Sequence, residues 1–390
     1  MKILKLIKNI VLGLLVIAGL IINIIIFFFV KEILYQYTSP WEIFEVVRRA
    51  AIKYYDFKGL SFVDDQNGIM WGEYLDEDMV YSEDGNFARS EDGSIIRSIK
   101  EEYYFILESK DSGKNWRQIY KSENEIISIS HVSDKLFYAL AEVRPKGNSR
   151  GYFQILKFEN DSDSFKFNSF ENISQMHGLM SKIFFLNSEV GFILGYKEQN
   201  VHATITMMTK DGGKNWQTLQ LNYKPDRHKQ FIKYDESKLY YFYGDRLILL
   251  DIDSMKEDVI EFPQEEMNII HICLDDKKRL WLLAESDTIM LFKQKDNNDF
   301  EKIVPSFGKK KSANKKLSPE IVHVYDNKIF VFLVDYSSYF PPWEFYMSAD
   351  DGLTWKEEKM PISIASRLIA FHKDNIWVYS YWRKLQHRHY

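Results

Sequence analysis

The chain has 390 residues, of which 45% are hydrophobic and 27% charged, and its formal net charge is −5 at pH 7. This composition predicts a folded chain with a large core, and the mild acidity argues against a nucleic-acid-binding protein. Cys273 is the single cysteine, which excludes an intrachain disulfide and a cysteine-based zinc or iron–sulfur site.

The N-terminal sequence predicts a membrane anchor. Residues 10–30 carry no charge, and a helix of this length at ~1.5 Å per residue covers the ~30 Å hydrocarbon core of a bilayer. Lys2, Lys5 and Lys8 place the stub 1–9 in the cytoplasm and the rest of the chain outside it. A cleaved signal peptide is the alternative, although the stretch lacks a small-residue cleavage site. We therefore expect a single-pass, extracytoplasmic protein, which is periplasmic if the cell is Gram-negative.

A short juxtamembrane helix is predicted within residues 31–59. Ser39 can cap it, Pro40 suits its first position, and Glu42 completes a capping box. Apolar residues then recur at helical spacing, at Trp41, Phe44, Val47, Ala51 and Tyr55. We expect this helix to pack on the following domain or, alternatively, to lie on the membrane surface.

Three segments, 109–116, 209–216 and 348–355, share the pattern Ser/Thr-x-Asp-x-Gly-x-Thr/Asn-Trp. The Asp carboxylate can accept hydrogen bonds from its own turn, the glycine can supply positive φ, and the Trp can bury a large apolar surface in the next strand. Each copy follows a strand-like run, so each predicts a β-hairpin turn. The residues with this structural role are Ser109, Asp111, Gly113, Trp116, Thr209, Asp211, Gly213, Trp216, Ser348, Asp350, Gly352 and Trp355.

A second repeat supports the first. In residues 62–72 and 185–195 a Phe, an Asp or Asn and two glycines fall at identical spacing. Further segments without these motifs read as paired strands, namely 135–141, 238–250, 280–292, 328–334 and 375–381. Units of about 40–50 residues rich in short strands are typical of a propeller. We expect an all-β fold over residues 60–390 with six or seven blades, depending on whether the strands after Ser366 form a blade of their own.

The three motifs resemble Asp boxes, also called bacterial neuraminidase (BNR) repeats. The segments 62–72 and 185–195 are similar to the blades of photosystem-assembly-factor-like propellers. This resemblance, which covers residues 60–390, implies a β-propeller with Asp-box turns between third and fourth strands, on the side away from the ligand face. Because sialidases share Asp boxes, it also brings a glycosidase into consideration.

The sialidase interpretation depends on arginines. A member of that family needs an Arg-Ile-Pro-type segment before the first box, yet Arg48, Arg49, Arg89 and Arg97 are not followed by Ile-Pro. The chain also contains no P-loop, no Gly-x-Ser-x-Gly and no His-Glu-x-x-His. We therefore assign no catalytic residue and predict no metal or other cofactor.

By analogy with other propellers, the loops between second and third strands should emerge on the ligand face. They include the acidic segment 73–100, which could meet a basic partner or bind Ca²⁺, the basic segment 144–150 and the aromatic segment 336–343. Exposed aromatic and arginine side chains favour protein contacts, although the aromatic ones could instead fill a blade junction. The candidate partner-binding residues are Arg144, Arg150, Tyr339, Phe340 and Trp343.

The sequence thus predicts a membrane-anchored extracytoplasmic β-propeller that binds a protein partner in the cell envelope without catalysis. Envelope-complex assembly and toxin neutralisation are roles that the sequence does not separate. The alternatives are a sialidase-like glycosidase and a carbohydrate-binding protein that does not hydrolyse its ligand.

Overall fold

The computed structural model describes residues 42–45, 54–79, 97–144, 151–160, 165–170, 178–197, 200–225, 231–243, 246–262, 267–295, 299–309, 317–337, 343–358, 366–380 and 384–389. Contacts divide the chain into two units, 1–43 and 44–390, and nearly all described residues belong to the second. The predicted anchor at 10–30 lies outside the described residues.

Strands and one short 3₁₀ turn, Ser306–Lys309, make up the regular structure of the described residues. The first thirteen strands are β1 (Glu42–Glu45), β2 (Tyr54–Phe62), β3 (Gly68–Met79), β4 (Arg97–Ser109), β5 (Arg117–Ser122), β6 (Glu125–Ser133), β7 (Leu136–Val143), β8 (Tyr152–Asn160), β9 (Phe165–Phe170), β10 (Gly178–Phe185), β11 (Gly191–Lys197), β12 (Asn200–Thr209) and β13 (Gln217–Thr218). The others are β14 (Ile232–Lys233), β15 (Lys238–Tyr243), β16 (Arg246–Asp251), β17 (Lys256–Ile260), β18 (Asn268–Leu274), β19 (Leu280–Glu285), β20 (Ile289–Gln294), β21 (Phe300–Ile303), β22 (Leu317–Tyr325), β23 (Lys328–Asp335), β24 (Trp343–Ser348), β25 (Lys356–Glu358), β26 (Ser366–His372), β27 (Asn375–Ser380) and β28 (Lys384–His389).

These strands form seven four-stranded antiparallel sheets. Sheets 1 to 6 take their strands in chain order, from β2–β5 for sheet 1 to β22–β25 for sheet 6. Sheet 7 has the order β26-β27-β28-β1. The strands from Ser366 onward therefore form a seventh sheet together with β1, which decides between six and seven sheets in favour of seven.

Apolar side chains join each sheet to the next. Separate buried clusters link sheets 1 and 2, 2 and 3, 3 and 4, 4 and 5, 5 and 6, and 7 and 1. Between sheets 6 and 7, the His323 ring stacks on Phe371 with centroids 4.6 Å apart. Each sheet thus has two neighbours, and first strands such as β2 and β6 contact one another. The seven sheets therefore close into a ring with their first strands innermost.

The predicted juxtamembrane helix is wrong where the structure describes it. Glu42–Glu45 is the strand β1 at the edge of sheet 7, and Tyr54 begins the strand β2. Helical spacing is a weak local preference, and pairing with a neighbouring strand overrides it here. Residues 46–53 lie outside the described part of the chain.

The ring has two faces, which we name by the connections they carry. The turn face holds the turns between first and second strands and between third and fourth strands. The loop face holds the connections between second and third strands and those leading to the next sheet.

Three turns with one hydrogen-bond pattern lie on the turn face, at 109–116, 209–216 and 348–355, and we call them the aspartate turns. The Ser109 hydroxyl donates to Asp111 Oδ1 at 2.9 Å and accepts from the Gly113 N–H at 2.9 Å. Asp111 also accepts from the Asn115 N–H at 2.8 Å, and the Trp116 indole N–H donates to the Gly113 carbonyl at 2.9 Å. The equivalent bonds of the other turns are Thr209–Asp211, Gly213–Thr209, Asn215–Asp211, Trp216–Gly213, Ser348–Asp350, Gly352–Ser348, Thr354–Asp350 and Trp355–Gly352.

The glycine of each aspartate turn has a left-handed backbone. Gly113, Gly213 and Gly352 have φ of 86°, 91° and 91°, a region that side chains disfavour. The three turns join β4 to β5, β12 to β13 and β24 to β25, which are third and fourth strands. The sequence pattern shared by the three segments therefore corresponds to one turn conformation that recurs between third and fourth strands.

Candidate functional site

A cleft of about 350 Å³ opens on the loop face between sheets 1 and 2. It lies beside the middle of the third strand of sheet 1, where the chain passes from β5 to β6, and where β7 ends. The side chains around it are Glu102, Tyr104, Glu123, Glu125, Glu142 and Arg144.

Arg144 is anchored by two of these carboxylates. Its Nη2 atom lies 2.7 Å from Glu142 Oε2 and 3.1 Å from Glu125 Oε2. The hydrogen bond to Glu142 and the charges of Glu142 and Glu125 raise the pKa of the guanidinium. With 67% of its side chain exposed, Arg144 stands at the rim and remains accessible to a partner. Such an exposed ion pair adds about 0–1 kcal/mol of stability, so its role is mainly to fix the orientation of Arg144.

Tyr104 supplies the aromatic wall of the cleft. Its hydroxyl donates to Glu102 Oε1 at 3.5 Å, and the residue is only 9% exposed. Burial first, and then the charges of Glu125 and Glu102, raise the pKa of Tyr104 to about 12. The hydroxyl is therefore protonated at neutral pH and acts as a hydrogen-bond donor.

Four glutamates and one arginine give the cleft an excess of negative charge. Such a surface attracts cationic groups and repels anionic ones, which favours basic partners over acidic ones. The cleft thus combines an electrostatic preference with a fixed arginine and an aromatic wall.

The predicted partner-binding residues fall in different places. Arg144 lies in the cleft, whereas Arg150, Tyr339 and Phe340 are outside the described residues. Trp343 is the first residue of β24 and is partly buried. Its ring makes an edge-to-face contact with the Phe332 ring, with centroids 6.4 Å apart. Of the two that the structure describes, Arg144 lies among other charged groups and Trp343 packs against its own sheet.

Much of the acidic segment 73–100 is strand rather than loop. β3 continues to Met79 and β4 begins at Arg97, so that Glu73 faces Tyr104 and Met79 faces Arg97 in the register. Residues 80–96, which carry four of the eight acidic side chains of the segment, lie outside the described residues. Within the described part, no group of three or more His, Cys, Asp or Glu side chains could hold a metal ion.

The glutamates of the cleft were missed by sequence reasoning. They come from three separate strands and one connection, and they are brought together by the pairing within sheet 2 and by the packing of sheet 1 on sheet 2. The available signal was charge of opposite sign, because Glu101 and Glu102 directly follow the acidic segment 73–100 and Arg144 begins the basic segment 144–150.

No helix among the described residues is both long and apolar enough to cross a bilayer.

Comparisons with known proteins concern the fold. No family model and no curated protein matches the chain. A structure of YCF48 bound to D1 peptide is 14% identical, covers 90% of this chain and 97% of its own, and has a TM-score of 0.54. The β-propeller domain of Cps50 (Swd1) from Myceliophteria thermophila is 10% identical over 74% of this chain and 93% of its own, with a TM-score of 0.47. A puromycin-hydrolysing peptidase of Mycobacterium tuberculosis is 9% identical over 79% of this chain and 54% of its own, with a TM-score of 0.45.

The likeness to YCF48 agrees with the ring of seven four-stranded sheets described above. Together they show that the chain has a β-propeller fold.

Proposed function

We propose that this chain is a non-catalytic β-propeller that binds a protein partner through its loop face. The observation that carries the proposal is the cleft between sheets 1 and 2, with its anchored Arg144 and its surplus of carboxylates. Charged groups held in place at a rim steer a partner and fix its orientation. The YCF48 structure, which holds a D1 peptide, supports this use of the fold.

Capture from detergent-solubilised cell envelopes tests the proposal. A Glu102→Gln/Glu123→Gln variant removes two charges from the cleft, and a Glu236→Gln/Glu301→Gln control removes two exposed charges elsewhere. We expect the cleft variant to recover its partner at least ~10-fold less than wild type, since close charge pairs at interfaces contribute more than ~1.4 kcal/mol. The control should match wild type, and equal recovery by both variants would contradict the proposed site.

Membrane anchoring through residues 10–30 is part of the same proposal, with the N-terminus in the cytoplasm and the propeller outside. There it would serve envelope-complex assembly or toxin neutralisation. Carbonate extraction and protease treatment of spheroplasts test the topology. The chain should stay in the membrane pellet and its propeller should be digested from outside; release by carbonate or full protection would disprove the anchor.

A cleft lined by carboxylates also suits a glycosidase, because glycoside hydrolysis generally uses a pair of carboxyl groups. Turnover of chromogenic glycosides that is lost on changing one cleft glutamate would replace our proposal with that activity. Binding to a glycan array without turnover would instead identify a carbohydrate-binding protein.

A further inference from the structure

An apolar side chain lies exposed on an outer strand of the propeller. Phe167 belongs to β9, the fourth strand of sheet 2, and is 52% exposed. Among the described side chains of the fourth strands it is the single exposed apolar one, and the other exposed residues there are charged or polar. Charged side chains on an edge strand oppose unwanted pairing, and Phe167 departs from this rule. An exposed aromatic ring at such a position indicates a contact surface.

The ring of Phe167 is held in place by neighbouring aromatic rings. Phe167 pairs with Phe158 in the register of β8 and β9. Tyr120, from the fourth strand of sheet 1, makes edge-to-face contacts with both, with centroids 5.4 Å from Phe158 and 5.3 Å from Phe167. One part of the Phe167 ring is therefore packed at the junction of sheets 1 and 2, and the rest is exposed. A ring fixed in this way loses little conformational freedom on binding.

This aromatic surface adjoins the cleft. On β4, Tyr104 of the cleft is two residues from Ile106, which pairs with Tyr120. Further along the chain, Glu123 of the cleft follows Tyr120 by three residues, a reach of at most about 11 Å. The cleft and the aromatic rings thus form one surface along the junction of sheets 1 and 2. We call it the seam, and its residues are Glu102, Tyr104, Tyr120, Glu123 and Phe167.

The two ends of the seam suit different chemical groups. The glutamates of the cleft outnumber its arginine and favour a cationic group, whereas Phe167 favours an apolar side chain that removes its exposed surface from water. Tyr104 and Glu102 lie two and four residues from Ile106, the partner of Tyr120, which corresponds to ~7 and ~13 Å along the strand. In an extended segment, side chains two or four residues apart point to the same side.

We propose that the seam binds an extended segment of the partner that carries a lysine or arginine and, two or four residues from it, a large apolar side chain. The cationic group lies among the carboxylates of the cleft, and the apolar side chain covers Phe167 and Tyr120. This inference rests on the proposed function, because it takes the cleft as the place where the partner binds. It adds the two side chains by which the partner is recognised.

Synthetic peptides test what the seam recognises. Short serine- and threonine-rich peptides carry one lysine and one phenylalanine, two or four positions apart and in either order. Matched peptides have serine in place of phenylalanine, or glutamate in place of lysine. Fluorescence polarisation measures their affinity for the full chain in mild detergent. We expect the lysine–phenylalanine peptide of the preferred spacing to bind about 10-fold more tightly than either matched peptide, because burial of an aromatic ring and a close charge pair each have effects of that order.

The wild-type protein alone is sufficient to overturn the proposal. Equal affinities for the phenylalanine and serine peptides would do so, and so would the absence of measurable binding by any peptide. Equal affinities for the lysine and glutamate peptides would also argue against the cleft as a site for a basic partner.

Matched variants assign the preference to Phe167. Phe167→Ser should bind the phenylalanine and serine peptides equally and still prefer lysine to glutamate. Phe167→Tyr keeps the ring and should behave as wild type. Tyr243→Ser removes a ring that is 43% exposed in sheet 4 and should change neither preference. A Phe167→Ser variant that still prefers the phenylalanine peptide about 10-fold would overturn the proposal.

Capture of the partner from cell envelopes separates this inference from the proposed function. If both hold, Phe167→Ser and the Glu102→Gln/Glu123→Gln variant each recover less partner than wild type. If Phe167→Ser recovers as much as wild type while the cleft variant recovers less, the cleft binds the partner and the seam proposal is wrong. If both variants match wild type, both proposals are wrong.

Discussion

At the scale of single residues, the second sequence repeat has a packing explanation. A Cβ on Gly68 would lie 2.5 Å from the Phe62 ring, and a Cβ on Gly191 would lie 2.5 Å from the Phe185 ring. The aromatic side chain of each first strand therefore lies over the glycine that begins the second strand. The spacing of Phe and Gly in the two repeats records this contact, and glycine is required there for space.

Replacing Gly191 with alanine tests this explanation. The added methyl must displace the Phe185 ring, which is itself stacked on Tyr138 with centroids 3.5 Å apart. We expect Gly191→Ala to lower the free energy of unfolding by about 1–3 kcal/mol in urea denaturation. In a Phe185→Leu background the ring is absent and the cost of the same substitution should fall. Additive effects in this double-mutant cycle would rule out the steric explanation.

At the scale of the strands and sheets, aromatic side chains of one sheet donate hydrogen bonds to backbone carbonyls in the turns of the neighbouring sheet. Trp377 of sheet 7 stacks on Phe62 of sheet 1 at 3.8 Å, and its indole N–H donates to the Ser112 carbonyl at 2.9 Å. Tyr138 of sheet 2 donates its hydroxyl to the Ser188 carbonyl of sheet 3 at 2.7 Å. These bonds hold turn-face backbone against the neighbouring sheet.

The hydroxyl of Tyr138 can be removed without losing the ring. We expect Tyr138→Phe to destabilise the fold by about 1 kcal/mol, because the buried bond to Ser188 is lost while the stack on Phe185 remains. Tyr243→Phe is the matched control, since Tyr243 is 43% exposed and its loss of a hydroxyl should change the midpoint of denaturation very little. Equal midpoints for the two variants would argue against a contribution from the bond.

The elements also show how far the sequence could predict the structure. The predicted strands 328–334 and 375–381 each match an observed strand, β23 and β27, to within one residue at either end, because apolar strands leave a clear local pattern. The helix predicted through Glu42 failed, since β1 depends on a partner distant in the sequence. The cleft around Glu125 and Glu142 also depends on register between strands, which one sequence does not reveal.

At the scale of the whole molecule, three partly buried histidines lie on first strands of the ring. They are His131 on β6, His271 on β18 and His323 on β22. Burial is the main cause that lowers the pKa of each to about 4. The folded ring therefore keeps these side chains neutral at pH values where an unfolded chain would protonate them.

This arrangement predicts a dependence of stability on pH. Between about pH 6.5 and 4 the unfolded chain binds more protons at these histidines than the folded chain does. Lowering the pH through this range should therefore reduce the free energy of unfolding by at most about 1.4 kcal/mol per pH unit for each histidine. Urea denaturation from pH 7 to 5 measures this slope. His323→Gln keeps a side-chain donor for the Lys373 carbonyl and should give a shallower slope. A slope unchanged by that substitution would contradict the role of His323.

In six of the seven described sheets the first strand carries a bulge, which is one extra residue relative to the second strand. Strand pairing on both sides of each bulge sets the frame of the propeller, while the residue after the bulge can contact the next first strand. Ser128 accepts a hydrogen bond from the Ile183 N–H, and His271 accepts one from the Val322 N–H. Exchange of those residues should therefore change how neighbouring first strands are joined while the pairing within each sheet stays the same.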